Sequence, residues 1–150
     1  YALVYGYENR FTKAEGEAVR EMAAGGGVQL LAVYGHQDFC DENVDCGPDE
    51  ILSYFRGAEF VVTDTFHGTI FSAITHTPFA VIKARSNANK LIDLLKDCRL
   101  RIGSPPPPEA LPCVLDQTMT FDKLDAVRAA ARGSSLSYLR NNISVGEEVW

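Results

Sequence analysis

Short apolar runs alternate with amphipathic stretches along most of this chain. Ala2 to Gly6 (ALVYG), Val28 to Tyr34, Phe60 to Thr63 and Phe79 to Lys83 read as strands, and Phe60 to Thr63 has the composition of a central parallel strand covered on both faces. Between them the spacing changes to that of helices. Thr12 with Glu15 three residues later forms a capping box, and Gly25-Gly26-Gly27 stops the helix that it opens at about Ala24. Pro48 to Arg56 places Ile51, Leu52 and Phe55 on one face, and Phe66, Ile70 and Ile74 recur every four residues after the third strand. A further helix is expected from Asn87 to Lys96.

Strand and helix thus alternate four times, the pattern of a parallel sheet with helices on both faces, and the expected class is an α/β, Rossmann-like three-layer domain. His36 to Gly47 reads as an irregular acidic loop. Pro105 to Pro108 reads as a stiff segment crossing the surface at the end of the sheet, and helices near Phe121 to Arg132 and Ser134 to Asn142 close the chain.

At 150 residues, the length suits one well-buried domain. The chain starts at Tyr1, inside what reads as a strand, so a domain taken from a longer protein is expected. A net charge of −6 without a basic stripe argues against a nucleic-acid surface. No apolar run approaches a membrane span, and no signal peptide is evident, so a soluble, cytoplasmic protein is expected. Cys40, Cys46, Cys98 and Cys113 show no Cys-x-x-Cys spacing and read as reduced thiols. Cys40 and Cys46 share the acidic loop with His36, but their spacing fits no common metal site; no metal and no cofactor are expected.

Ligands of open parallel sheets bind beyond the carboxyl ends of the strands. Those ends are Tyr7 to Arg10, Gly35 to Asp38, Asp64 to Gly68 and Lys83 to Lys90. At the third, a helix start gathers unpaired N–H groups around His67, a place to hold an anion. A helix N-terminus disfavours an imidazolium, so stability alone does not account for His67. Asp64 or Thr65 can cap the helix, a local use that stands beside a ligand-binding one, and Gly68 would let a ligand approach the backbone. The fourth end carries Lys83, Arg85 and Lys90, with Asn89 among them; these either meet the same anion or solvate a surface loop. There is no GxGxxG, no GxxxxGK[ST] and no GxSxG, which removes the ordinary dinucleotide, phosphate-loop and hydrolase readings. His76 reads as a residue of a helix C-terminus.

The run from Pro48 to Ser72, containing Thr63-Asp64-Thr65-Phe66-His67-Gly68, followed by Thr77-Pro78-Phe79 and by Asn89-Lys90 with Leu94-Leu95, resembles the carboxyl-terminal half of the polysaccharide pyruvyl transferase family. The resemblance implies the second Rossmann-like domain of a protein of GT-B glycosyltransferase shape, whose amino-terminal domain is absent from this chain and supplies much of the acceptor site. It implies transfer of a pyruvyl group from phosphoenolpyruvate to a sugar of a bacterial surface polysaccharide or its precursor, with His67 in the phosphoenolpyruvate site and catalytic. Asp64, Thr65, Gly68, Lys83, Arg85, Asn89 and Lys90, from the two strand exits, are the substrate-binding candidates beside it. Relatives with a basic residue two places before the histidine bind the anionic end of the substrate with it. Thr65 stands there in this chain, so Arg85, Lys83 or Lys90 substitutes, or the donor differs. A nucleotide-sugar glycosyltransferase on the same scaffold, or a non-catalytic interaction module, are the alternative readings.

Overall fold

The computed structural model describes residues 1–82 and 121–143. These fall in two compact units, one within 1–119 and one within 120–150. In the first, five strands form one sheet: β1 (Ala2–Tyr5), β2 (Leu30–Val33), β3 (Glu42–Val44), β4 (Phe60–Thr63) and β5 (Phe79–Val81). All pair in parallel, in the order β3-β2-β1-β4-β5. Helices α1 (Lys13–Gly26), α2 (Ile51–Gly57) and α3 (Phe66–Thr75) connect them. The fold is α/β and Rossmann-like, as the alternating pattern predicts.

Strand parity sorts the core into two layers. Ala2 and Val4 of β1, Leu30 and Ala32 of β2, Val62 of β4 and Ala80 of β5 pack with Ala18, Val19 and Ala23 of α1. On the other face Tyr5 meets Phe55 of α2 at 5.3 Å and Phe71 of α3 at 6.1 Å between ring centroids. The three layers are therefore α1, the sheet, and α2 with α3.

Local signals act where the sequence places them. Thr12 caps α1 through the complete capping box, and Gly27 ends it in the left-handed conformation at φ 67°. The Val28 N–H turns back to Ala23 O at 3.0 Å, so Val28 belongs to the helix stop and β2 begins two residues later than expected.

Three expectations change. The acidic stretch His36 to Gly47 contains the edge strand β3, whose three residues, Glu42, Asn43 and Val44, are exposed or half-buried and include one apolar side chain, which hides it from any apolar pattern. Pro48 to Glu50 form a turn, and α2 starts only at Ile51. In the second unit, the two expected closing helices are one, α4 (Asp122–Asn142), which runs through Gly133. A glycine there costs about 1 kcal/mol relative to alanine and does not by itself break a helix. Among the described residues no helix is long and apolar enough to cross a membrane.

Candidate functional site

Strand order reverses between β1 and β4: the chain moves outward through β2 and β3 on one side and through β5 on the other. The exits of β1 and β4 thus flank the crevice where ligands of such sheets bind. Tyr5 and Thr63 are register partners at the ends of these strands. The β4–α3 corner, Asp64 to Gly68, opens directly onto that point.

Hydroxyl groups lace the corner together. Thr63 Oγ1 donates to Tyr5 O at 2.6 Å and accepts from Thr65 N at 3.1 Å. Its one proton being spent, the 3.1 Å contact between the two threonine hydroxyls has Thr65 as donor. Thr65 Oγ1 in turn accepts from the Gly68 N–H at 2.8 Å, as the N-cap of α3. Of the two capping candidates, then, Thr65 caps and Asp64 does not. Both threonines are buried with their hydroxyls fully engaged, so Thr65 serves as frame.

Gly68 is buried and faces the sheet. A Cβ there would fall on Thr63 Oγ1 and lie 2.8 Å from both Thr63 Cβ and Tyr5 Cδ1. Its missing side chain is what lets α3 start against the sheet. The Phe66 and His67 N–H groups, on the first turn, have no partner among the described residues. The imidazole of His67 is exposed beside them, edged by Phe66 at 6.0 Å and Phe71 at 6.2 Å. Two free donors and an adjacent imidazole form an anion-binding arrangement.

Asp64 points elsewhere. It is only 2% exposed, and its Oδ1 lies where a Cβ on Gly6 would come within 2.5 Å. Neither carboxylate oxygen completes a hydrogen bond among the described residues. Arg10 Nη1 stands 3.8 Å from Oδ2. Burial raises the Asp64 pKa, against the opposing pull of Arg10 and of the nearby Tyr7 and Asp64 backbone N–H groups. The residue is thus a desolvated carboxyl at the switch point.

Arg10 and two tyrosines had no motif to single them out, although Tyr7 to Arg10 was recognisable as a strand exit. The Arg10 guanidinium lies 4.5 Å above the Tyr7 ring; Tyr7 meets Tyr34 edge-on at 5.2 Å; Tyr34 stacks on Tyr5 at 5.1 Å. Through Phe71 this aromatic wall continues to His67. Burial, with lesser contributions from Tyr34, Tyr7 and Cys46, pushes the Tyr5 phenol up to about 12, so it stays neutral within the wall.

Lys83, Arg85, Asn89 and Lys90 lie outside the described residues, as do the expected Asn87 to Lys96 helix and the proline run. What is placed is the strand before them. β5 pairs directly with β4, Val81 opposite Thr63, so the chain leaves β5 beside the Asp64 corner. His76 is the left-handed C-cap of α3, φ 57°. Among the described residues no three His, Cys, Asp or Glu side chains converge to hold a metal ion; Cys40 is buried, and burial pushes its thiol up to about 12.

The family model for polysaccharide pyruvyl transferase matches residues 40–86. That span holds β3, α2, β4, α3 and β5, with His67 and the whole β4–α3 corner. No curated protein matches the chain.

Proposed function

We propose that this chain forms the donor-binding part of a polysaccharide pyruvyl transferase and holds phosphoenolpyruvate at the β4–α3 corner. The observation that carries the reading is the pair of N–H groups of Phe66 and His67, without a partner among the described residues, on the same first turn as the exposed His67 side chain, at the switch point and within the segment that is similar to the family. The phosphate of the donor rests on these donors. The family likeness over residues 40–86 supports a sugar acceptor; the phosphoenolpyruvate donor, the GT-B shape and the bacterial exopolysaccharide pathway belong to the proposal.

In this reading the methylene carbon of phosphoenolpyruvate takes a proton, and positive charge develops at the central carbon. One sugar hydroxyl attacks there, losing its proton. A second hydroxyl, losing its proton in turn, then forms the other C–O bond of the ketal as the C–O bond to phosphate breaks. His67 holds the departing phosphate and can protonate its bridging oxygen, while the helix N–H groups take up its charge. Thr65 and Gly68 fix the helix start that aims them, and Asp64 orients Arg10 at the crevice. Lys83 and Arg85, next in sequence after β5, with Asn89 and Lys90, are assigned to the carboxylate end of the donor.

The test is phosphate release from phosphoenolpyruvate by the intact protein with sugar acceptors. His67→Ala should lower kcat/KM by about a hundredfold or more, the scale of a lost general acid with its phosphate contact. Turnover at the parent rate would refute the assignment.

A further inference from the structure

Tyr34 follows β2 with φ 88°, a left-handed backbone that a bulky side chain rarely adopts. Such a conformation persists only where the surroundings impose it, and it concentrates at sites with a use. The next residue lies tight against the neighbouring strand exit. Any side chain at Gly35 would strike Gly6 O and lie 2.7 Å from Glu8 N. The exit of β2 is therefore clamped, backbone to backbone, against the exit of β1.

The clamp throws the Tyr34 ring over Tyr5, the two stacked with planes 22° apart. Tyr5 backs one side; the Tyr34 residue remains 58% exposed, and neighbouring Tyr7 is 39% exposed. A cavity of about 300 Å³ adjoins Tyr34, lined also by Gly35, His36, Asn43, Val44 and Asp45. The Asn43 amide is occupied by the Gln37 backbone, accepting from its N–H at 2.8 Å and donating to its carbonyl at 3.4 Å. The exposed Asp45 carboxylate, His36, which is paired with Asp38 at 3.0 Å, and the second N–H of the Asn43 amide form the polar rim.

We propose that Tyr34, with Tyr7 and the Asp45 carboxylate, forms a subsite for one neutral pyranose ring of the acceptor. A pyranose presents a face of C–H groups that rests on an aromatic ring and an edge of hydroxyls that donate to a carboxylate. The cavity is at the small end of ligand sites, in keeping with one sugar ring. Asp45 on its rim, with Asp38 paired to the rim residue His36, opposes a nucleotide phosphate. The subsite also shares the aromatic wall that leads through Tyr5 and Phe71 to His67. The acceptor identity rests on the pyruvyl transferase reading; the ring-binding geometry does not.

The experiment is saturation-transfer NMR on the intact protein without phosphoenolpyruvate, using methyl glucopyranoside, galactopyranoside, mannopyranoside and N-acetylglucosaminide, with UMP as a separate probe. Ring C–H protons of at least one sugar should receive saturation. Tyr34→Ala should reduce it at least fivefold, Tyr34→Phe should keep it within twofold, and Asp45→Asn, an exposed change that leaves the packing alone, should weaken it at least threefold. No sugar signal, sugar signals unaffected in both Tyr34→Ala and Asp45→Asn, or a UMP signal that replaces them would overturn the subsite. Sugar binding lost in Tyr34→Ala, in a protein that never releases phosphate from phosphoenolpyruvate, would keep the subsite and refute the transfer reading. Transfer with an unchanged sugar KM in Tyr34→Ala would do the reverse.

Discussion

Replacing Gly68 by alanine tests whether the start of α3 is set by packing. The new methyl would fall on Thr63 Oγ1 and sit 2.8 Å from Thr63 Cβ and Tyr5 Cδ1, where ordinary contacts lie at 3.4–4 Å. Thr63 cannot yield without cost, because its hydroxyl bonds Tyr5 O, Thr65 N and Thr65 Oγ1 in a buried site. Overpacking costs about 1–3 kcal/mol, and each hydrogen bond disturbed adds about 0.5–1.5 kcal/mol. The better helix propensity of alanine returns at most about 1 kcal/mol. The net expectation is a loss of about 2–4 kcal/mol, or roughly 5–15 °C in Tm for a domain of this size. Gly25→Ala is the matched control: it lies in the last turn of α1, no atom lies within 4 Å of its Cβ position, and its φ is not positive. It should be neutral or stabilising by up to about 1 kcal/mol. Thermal and urea unfolding followed by circular dichroism read both variants. A Gly68→Ala protein as stable as the parent would show that the close approach does not constrain this corner.

Two further outcomes follow from buried ionisable groups. The Asp64 pKa is raised on folding, so the folded state holds its proton more tightly, and this group's contribution to stability falls as pH rises from its unfolded value near 3.8 through the raised folded value. Asp64→Asn should therefore flatten the decline in stability between acid and neutral pH and raise Tm at pH 7, since it removes a buried charge whose oxygens complete no hydrogen bond among the described residues, a defect of about 1–3 kcal/mol that Arg10 offsets only in part; a lower Tm at pH 7 would mean that the Arg10 pairing outweighs desolvation. Cys40 is buried with its thiol pushed up to about 12, whereas Cys46 is half-buried. A thiol-specific alkylating reagent followed by peptide mass mapping should modify Cys46 in the folded protein and reach Cys40 only on unfolding, with equal labelling of the two refuting the packing around Cys40.

The sequence by itself determined whatever neighbours within a few residues decide. Thr12 and Glu15 announce the start of α1, and the run Gly25-Gly26-Gly27 announces its stop to within two residues, the helix continuing through Gly26 instead of ending at about Ala24, because a cap is a bond between residues three or four apart. Phe60 to Thr63 is the strand the apolar run predicts, residue for residue. The corner that follows, with His67 on the first turn of a helix, was equally legible from strand, cap and helix period together. Where an element lacks a local signal it was lost. β3 carries no apolar run, since an exposed edge strand has no covered face, and Gly133 could not reveal whether the closing helix stops or continues.

Tertiary structure decided how the corners meet. Pairing β1 with β4, 58 residues away at Tyr5 and Thr63, brings Arg10 to Asp64 and makes the exit of β1 part of the site. No spacing in the chain encodes that order. The same pairing turns Gly68 inward, from a residue that admits a ligand to one that admits the sheet, and divides the two threonine-aspartate neighbours: Thr65 is spent on the cap while Asp64 is buried toward Gly6. Side-chain roles at a corner depend on which faces the other strands cover. That is a property of contacts between residues far apart in the chain, which local propensity cannot carry.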